Sequence, residues 1–305
     1  MAFSDFIDDP YVTETVDSLS QQLLGALQAQ SQRRLELAYV QPPPTVVFGA
    51  AAVVTDDKAH PALLVNSALA AVHQLRPGQL TPVAELGELR GMLEESLRAD
   101  VPGNVQALPV PEPQPCFAPA ETVSGPIKRG TLGARVTTAN GSHAILTAGH
   151  VATTGTVVHD GGNHPGKVVF SVDPAQVPAL VVTVDVAVIS ADCWDPHAGA
   201  TVVIGGQAEL TGGMGLAMHG SVSGVKLGVV MGRSPFIHVP SMSGQWDDCY
   251  FTTAGISQDG DSGAPVLADG ADHVVGHLVG ASGKITSYIQ AINPQLAAAG
   301  VTLRP

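Results

Sequence analysis

The chain has 305 residues, a net charge of −13, 13% charged residues and 45% hydrophobic residues. It is long enough to bury one large core or two ordinary ones, and its composition excludes a disordered polymer. The acidic balance argues against nucleic acid or an anionic membrane surface as the main partner, and no apolar run reaches transmembrane length.

The N-terminus, Met-Ala-Phe-Ser-Asp-Phe-Ile-Asp-Asp-Pro, lacks the basic and apolar regions of a secretory leader, so a soluble, cytoplasmic protein is expected. From Thr13 to Ala38, Val16, Leu19, Leu23, Leu27 and Leu35 recur at helical spacing, and Pro42-Pro43-Pro44 ends that pattern. An apolar, alanine-rich stretch follows over Val46–Val54. The run from Pro61 to Leu75 suits a buried helix, and a further helix is predicted from Pro82 to Arg98, with Pro82 in its first turn. Residues 1–107 therefore read as a mainly α-helical region, serving as a regulatory module, a pro-region that masks a site, or an adaptor. It holds 14 acids and 6 bases up to Pro115, against 13 and 8 in the remainder. The bland alternative is a packing domain with a solvated acidic face.

Prolines at 109, 111, 113, 115 and 119 make residues 108–120 an extended, semi-rigid linker. After it Gly, Val and Thr become dense and helical periodicity disappears, the signature of an all-β sandwich or barrel over residues 121–305. Asn140-Gly141 between the runs Thr131–Thr138 and His143–Thr147 predicts a hairpin with a two-residue turn. Further strands are predicted near 155–159, 166–172, 180–190, 201–210, 214–218, 224–231, 248–253, 264–268 and 273–280, with a closing helix over Ser287–Gly300.

Three segments carry chemistry. The first strand of interest ends in Ala148-Gly149-His150. Asp185 is a lone acid inside the apolar run Val181–Ile189, where burial demands a specific hydrogen-bonding partner. The third is Gly260-Asp261-Ser262-Gly263, a serine between glycines in a tight turn that holds the hydroxyl out. A hydroxyl becomes a nucleophile when a histidine takes its proton and an acid fixes the histidine's tautomer.

These segments, in the order His150, Asp185, Ser262 and separated by 35 and 77 residues, resemble the chymotrypsin (trypsin-like) serine protease family. Leu146-Thr147-Ala148-Gly149-His150 is similar to its histidine motif, Asp185-Val186-Ala187-Val188-Ile189 to its aspartate motif, and Gly260-Asp261-Ser262-Gly263-Ala264-Pro265 to its serine motif. The tail from Ile289 to Val301 resembles the closing helix of bacterial members such as the streptogrisins. The resemblance spans about residues 125 to 303 and leaves the N-terminal region uncovered. It implies an all-β double β-barrel (chymotrypsin-like) catalytic domain, His150 and Asp185 in the first barrel, Ser262 in the second, and an oxyanion hole from the amides of Gly260 and Ser262. The implied activity is that of a serine endopeptidase acting on a peptide or protein substrate through an acyl-enzyme, with no cofactor and no metal.

The pocket position six before the serine is Ile256, not an acid, and the pocket wall falls on Gly276–Ser282, including Val279 and Ala281. A small or apolar side chain is therefore expected at the cut site in place of Lys or Arg. His277 could instead favour an acidic side chain. The resemblance gives Asp261 a cationic partner: a new N-terminus released after Lys128-Arg129, or Arg135, or Arg233. No cysteine flanks His150 or Ser262, and Cys116, Cys193 and Cys249 are too few for a disulfide framework, which suits a reducing compartment. His159, Asp160 and His164 have metal-like composition but read as a loop, His143 as a surface or barrel residue, and Asp173, Asp192 and Asp195 as loop acids. A protease-like binding or scaffold protein without turnover is the alternative reading.

Overall fold

The computed structural model describes residues 9–36, 45–55, 58–73, 75–115, 118–120, 127–159, 165–190 and 206–304. The chain opens with helix α1 (Pro10–Glu36), in which Asp9 caps the start by accepting from the amides of Tyr11 (3.0 Å) and Val12 (3.4 Å). Pro10 takes the first helical position, where no amide donor is needed. Val12, Val16, Leu19, Leu23 and Leu27 lie on one buried face.

Next come β1 (Val47–Thr55), β2 (Lys58–Asn66), α2 (Ser67–Val72), β3 (Thr81–Pro82), a short 3₁₀ turn (Val83–Glu85), α3 (Glu88–Leu97) and β4 (Gln106–Val110). The buried helix expected over Pro61–Leu75 is thus replaced by a strand to Asn66 and a helix of six residues, Ser67–Val72. A short apolar run has no periodicity that separates the two states, and pairing decides it. Here β2 lies between antiparallel β1 and parallel β4, while Pro61 precedes the first β4 pair, Ala62 with Gln106, so its missing amide interrupts no ladder there. The proline-rich segment is extended, as its composition predicts, but it is also paired. Its first residues belong to β4, and β5 (Gln114–Pro115) and the hairpin of β6 (Ala118–Ala120) with β7 (Ile127–Arg129) follow.

The remainder is mostly β. It runs β8 (Arg135–Thr138), β9 (His143–Thr147), β10 (Val157–His159), β11 (Pro165–Val172), β12 (Val182–Thr183), β13 (Val186–Ser190), β14 (Gly206–Gln207), β15 (Gly215–Gly220), β16 (Gly224–Ile237), β17 (Gln245–Thr252), β18 (Pro265–Ala268), β19 (His273–Ser282), β20 (Thr286–Ala291), α4 (Ile292–Ala299) and β21 (Val301–Leu303). One six-stranded sheet has the order β10-β11-β13-β9-β8-β21. A 13-stranded sheet contains β15 to β20 and continues through β16 into β1, β2, β4 and β3. This mostly β, two-sheet architecture behind an N-terminal helix is the class expected.

Two local expectations change. The β8–β9 hairpin does not use a two-residue Asn-Gly turn. Gly141 donates to Thr138 O at 2.8 Å and takes φ +83°, while Asn140 keeps a negative φ, so Ala139 and Asn140 form the turn and Gly141 the bulge after it. The closing helix begins only at Ile292, because Thr286–Ala291 pairs with both β17 and β19. Pro294 then falls in the first helical turn, where it is tolerated.

Side chains of α1, β1, β2 and α3 share one core with Val230, Tyr250, Val266, Leu278 and Ile289 of the large sheet. Val136, Leu146, Val186 and Val188 of the smaller sheet form another with Ile292 and Leu296 of α4. No helix among the described residues is long and apolar enough to cross a membrane.

Candidate active site

Asp185 sits in the gap between β12 and β13, which explains a lone acid inside an apolar run: its flanks are sheet, and its carboxylate turns to a dedicated set of donors. Oδ1 accepts the His150 main-chain amide at 2.8 Å. Oδ2 meets His150 Nδ1 at 2.5 Å and accepts the Trp246 indole N–H at 3.0 Å. Asp185 N–H donates to Gln290 Oε1 at 2.7 Å, and Gln290 Nε2 in turn donates to Asp247 O at 2.7 Å. A fully buried carboxylate is stable only with such a complete set of donors.

His150 lies in the turn after β9. With Nδ1–H donated to Asp185, its Nε2 is left as an acceptor, and Ser262 Oγ lies 2.8 Å from it. The structure thus brings together His150, Asp185 and Ser262, which are far apart in sequence. Trp246 and Gln290, which complete the surroundings of Asp185, were not singled out from sequence. A tryptophan in an apolar strand reads as core, and nothing local marks its indole nitrogen as a donor to a distant acid.

The serine turn is held from several sides. Thr131 N–H donates to Ser262 O at 2.7 Å, and Thr131 Oγ1 donates to Gly260 O at 3.0 Å. Gly260 takes φ +100° and Gly263 φ +88°, conformations that a side chain would strain. Gly260 and Ser262 are buried, and among the described residues neither amide has a hydrogen-bond acceptor. Amides without an acceptor in a buried turn are uncommon, and a pair of them in one turn suits an oxygen that gains negative charge.

Among the described residues the partners of Asp261 are neutral. It accepts from the amides of Val222 (3.0 Å), Ser223 (3.1 Å) and Gln258 (2.9 Å) and from the Ser223 hydroxyl. Arg233 instead forms a forked pair with Asp248, at 2.5 and 2.9 Å, and lies over the Tyr250 ring. The β15–β16 turn therefore satisfies Asp261, a role that sequence could not assign because it rests on backbone amides.

No family model matches the chain, and no curated protein matches it. Among solved structures it is similar to a Nocardiopsis protease, with 24% identity and a TM-score of 0.49 over 60% of this chain and 95% of that one. It is also similar to a Cellulomonas bogoriensis chymotrypsin (22% identity, TM-score 0.46, 63% and 97% covered) and to Thermobifida fusca protease A (24%, 0.47, 63% and 95%).

The residues read as a pocket are placed as follows. Val279 on β19 turns its side chain into a core with Trp246, Phe251 and Tyr288, while its carbonyl lies 3.4 Å from Ser262 Oγ. Ala281 and Ile256 are buried in the core shared with the N-terminal elements, and the Ile256 amide donates to Ser287 Oγ at 3.0 Å. His277 does not reach toward substrate. It is fully buried, its Nδ1 pairs with Gln295 Oε1 at 2.9 Å, and its Nε2 accepts the Ala134 amide at 3.2 Å. Burial holds its pKa down to about 4, so it is a neutral core histidine.

Asp247, next to Trp246, is pushed up to about 6, first by burial and then by Asp248 beside it. The Cys249 thiol is buried and raised well above its ordinary range, which makes it a poor nucleophile. His143 is exposed on β9, and Asp173 accepts the Ala175 amide at 2.8 Å as a turn residue. Among the described residues no group of three or more His, Cys, Asp or Glu side chains could hold a metal. Asp160, His164, Asp192, Asp195, Cys116 and Cys193 lie outside the described residues.

Proposed function

We propose that the chain is a serine endopeptidase. The observation that carries this reading is the continuous hydrogen-bonded line Asp185–His150–Ser262, ending in a turn whose Gly260 and Ser262 amides have no acceptor among the described residues. Ser262 Oγ attacks a peptide carbonyl as His150 Nε2 takes its proton, and the resulting oxyanion is held by those two amides. His150 returns the proton to the departing amine, leaving an acyl-Ser262 ester. Water, deprotonated by the same nitrogen, then releases the acid product. Asp185 holds the imidazole in the required tautomer and stabilises its charged form. Position 256, six before the serine, is Ile and not an acid, which favours a small or apolar side chain at the cut site. Preference for Arg over Ala, Val or Leu in a peptide panel overturns that specificity.

One observation favours a non-catalytic binding protein instead: Ser262 and His150 have only 0% and 1% of their surface exposed. A fluorophosphonate probe separates the two readings. On prolonged incubation the peptidase reading expects one label per chain, lost in Ser262→Ala. Absence of label on a folded chain, under conditions that saturate a known serine hydrolase, favours the binding protein.

A further inference from the structure

His150 follows β9 of the six-stranded sheet, whereas Ser262 stands in the turn before β18 of the large one. The reactive line therefore crosses between two sheets, and its span depends on how they are held in register. Asp185 lies at the crossing, joining β12, which pairs with β17 of the large sheet, to β13, which pairs with β9. Apolar packing is non-directional and cannot by itself fix that span; hydrogen bonds can. Gln290 of β20 supplies them from the large sheet. Its Oε1 accepts the Asp185 amide at 2.7 Å, and its Nε2 donates to Asp247 O at 2.7 Å and to Thr183 O at 3.3 Å. The main chain of Gln290 is tied in turn. Gln295 Nε2 of α4 donates to Gln290 O at 3.2 Å, and Gln295 Oε1 accepts His277 Nδ1–H at 2.9 Å. His277 Nε2 then accepts the amide of Ala134, just ahead of β8, at 3.2 Å. Gln290, Gln295, His277 and Asp185 are all buried. One buried relay thus grips the six-stranded sheet at two points, beside β8 and beside β13.

We propose that Gln290 is a positioning residue for the reaction: it fixes the Asp185 main chain, and through it the placement of His150 against Ser262. Asp185 Oδ1 accepts the His150 amide and Oδ2 meets its Nδ1, so a displaced acid carries the histidine's backbone with it as well as its ring. Trp246 holds the carboxylate of Asp185 and Gln290 holds its backbone, so the two act on different parts of the same residue. An amide side chain suits the task, because its acceptor and its donors are set in one plane. This role rests on the reading of Asp185, His150 and Ser262 as a proton-transfer line.

The test compares the full chain with Gln290→Met, which has similar length but no amide, after circular dichroism shows both folded. Should that variant not fold, Gln290→Asn, one methylene shorter and still polar, takes its place with the same expectations. Fluorophosphonate inactivation is resolved into its maximal rate and its half-saturating concentration. The maximal rate is expected to fall about tenfold to a hundredfold, with the half-saturating concentration little changed. An unchanged rate, or a loss confined to the half-saturating concentration, overturns the role. The downfield proton resonance of His150 Nδ1–H, read by NMR with isotope-labelled histidine, is expected to be displaced or broadened in the variant. An unchanged resonance overturns the role even where the rate falls, since the damage then lies elsewhere. Absence of label on both chains overturns the peptidase reading instead, while a displaced resonance still upholds the placement of His150 by Gln290.

Discussion

Trp246 carries a single hydrogen bond whose effect is separable from its packing. Its indole donates to the same Asp185 oxygen that receives His150 Nδ1–H. Hydrogen bonds to charged groups contribute about 1.5–3 kcal/mol, so Trp246→Phe is expected to lower kcat/KM about tenfold to a hundredfold. The loss should fall on kcat, with KM little changed and the acid limb of the pH–rate profile displaced, because the indole acts through Asp185 and not on substrate. Loss confined to KM would refute the role. His277 makes a second prediction. Its pKa is depressed to about 4 from an ordinary 6.5, so its contribution to stability is fully present above 6.5 and is lost as pH falls toward 4. The linkage amounts to about 3 kcal/mol. Asp247, raised to about 6, works in the opposite sense, its contribution being lost as pH rises through that value. Denaturant melts of His277→Gln against the parent at pH 4.5 and 7.5 isolate the histidine, and an unchanged difference between the two pH values would refute it.

At the scale of elements, sequence was most informative where a segment's chemistry is local. Helix α1 followed from its spacing of valines and leucines, and most of the strands after residue 130 from alternation and turn residues. It was least informative over Pro61–Leu75 and Ser287–Gly300, where apolar runs suited helix but strands already waiting on either side captured them. The same distinction holds in the candidate site. His150, Asp185 and Ser262 stood out by their immediate neighbours, whereas Gln290, Ser223 and Thr131 act through contacts 38 to 129 residues away. The Asp261 partner was undecidable from sequence for this reason, since any turn can present backbone amides.

At the scale of the molecule, the N-terminal elements and the large sheet are one body. Ala52 and Val53 of β1 pair with Arg233 and Gly232 of β16, and Leu19 and Leu23 of α1 pack in the same core as Tyr250 and Leu278. Removing a buried leucine side chain costs about 2–5 kcal/mol, so Leu19→Ala is expected to lower the stability of the sheet as well as the helix. Thermal unfolding followed by tryptophan fluorescence in a Trp194→Phe background, which leaves Trp246 as the reporter, and by far-ultraviolet circular dichroism should shift together. A shift in the helical signal alone would show that the N-terminal region folds independently.

The amino-acid sequence by itself determined the β-rich character after residue 130, the α1 helix and the identity of the three residues that converge on the site. Those are properties of short-range pattern: periodicity, turn chemistry, and an acid that apolar neighbours cannot tolerate unpartnered. Tertiary structure decided what satisfies Asp185 and Asp261, which way His277 points, and that the extended proline-rich segment is paired, its first residues in β4 and Gln114–Pro115 with β19. Each depends on groups brought together by sheet pairing between distant strands, and any extended segment can in principle claim an open edge. Which one does so is settled only when the whole sheet is assembled.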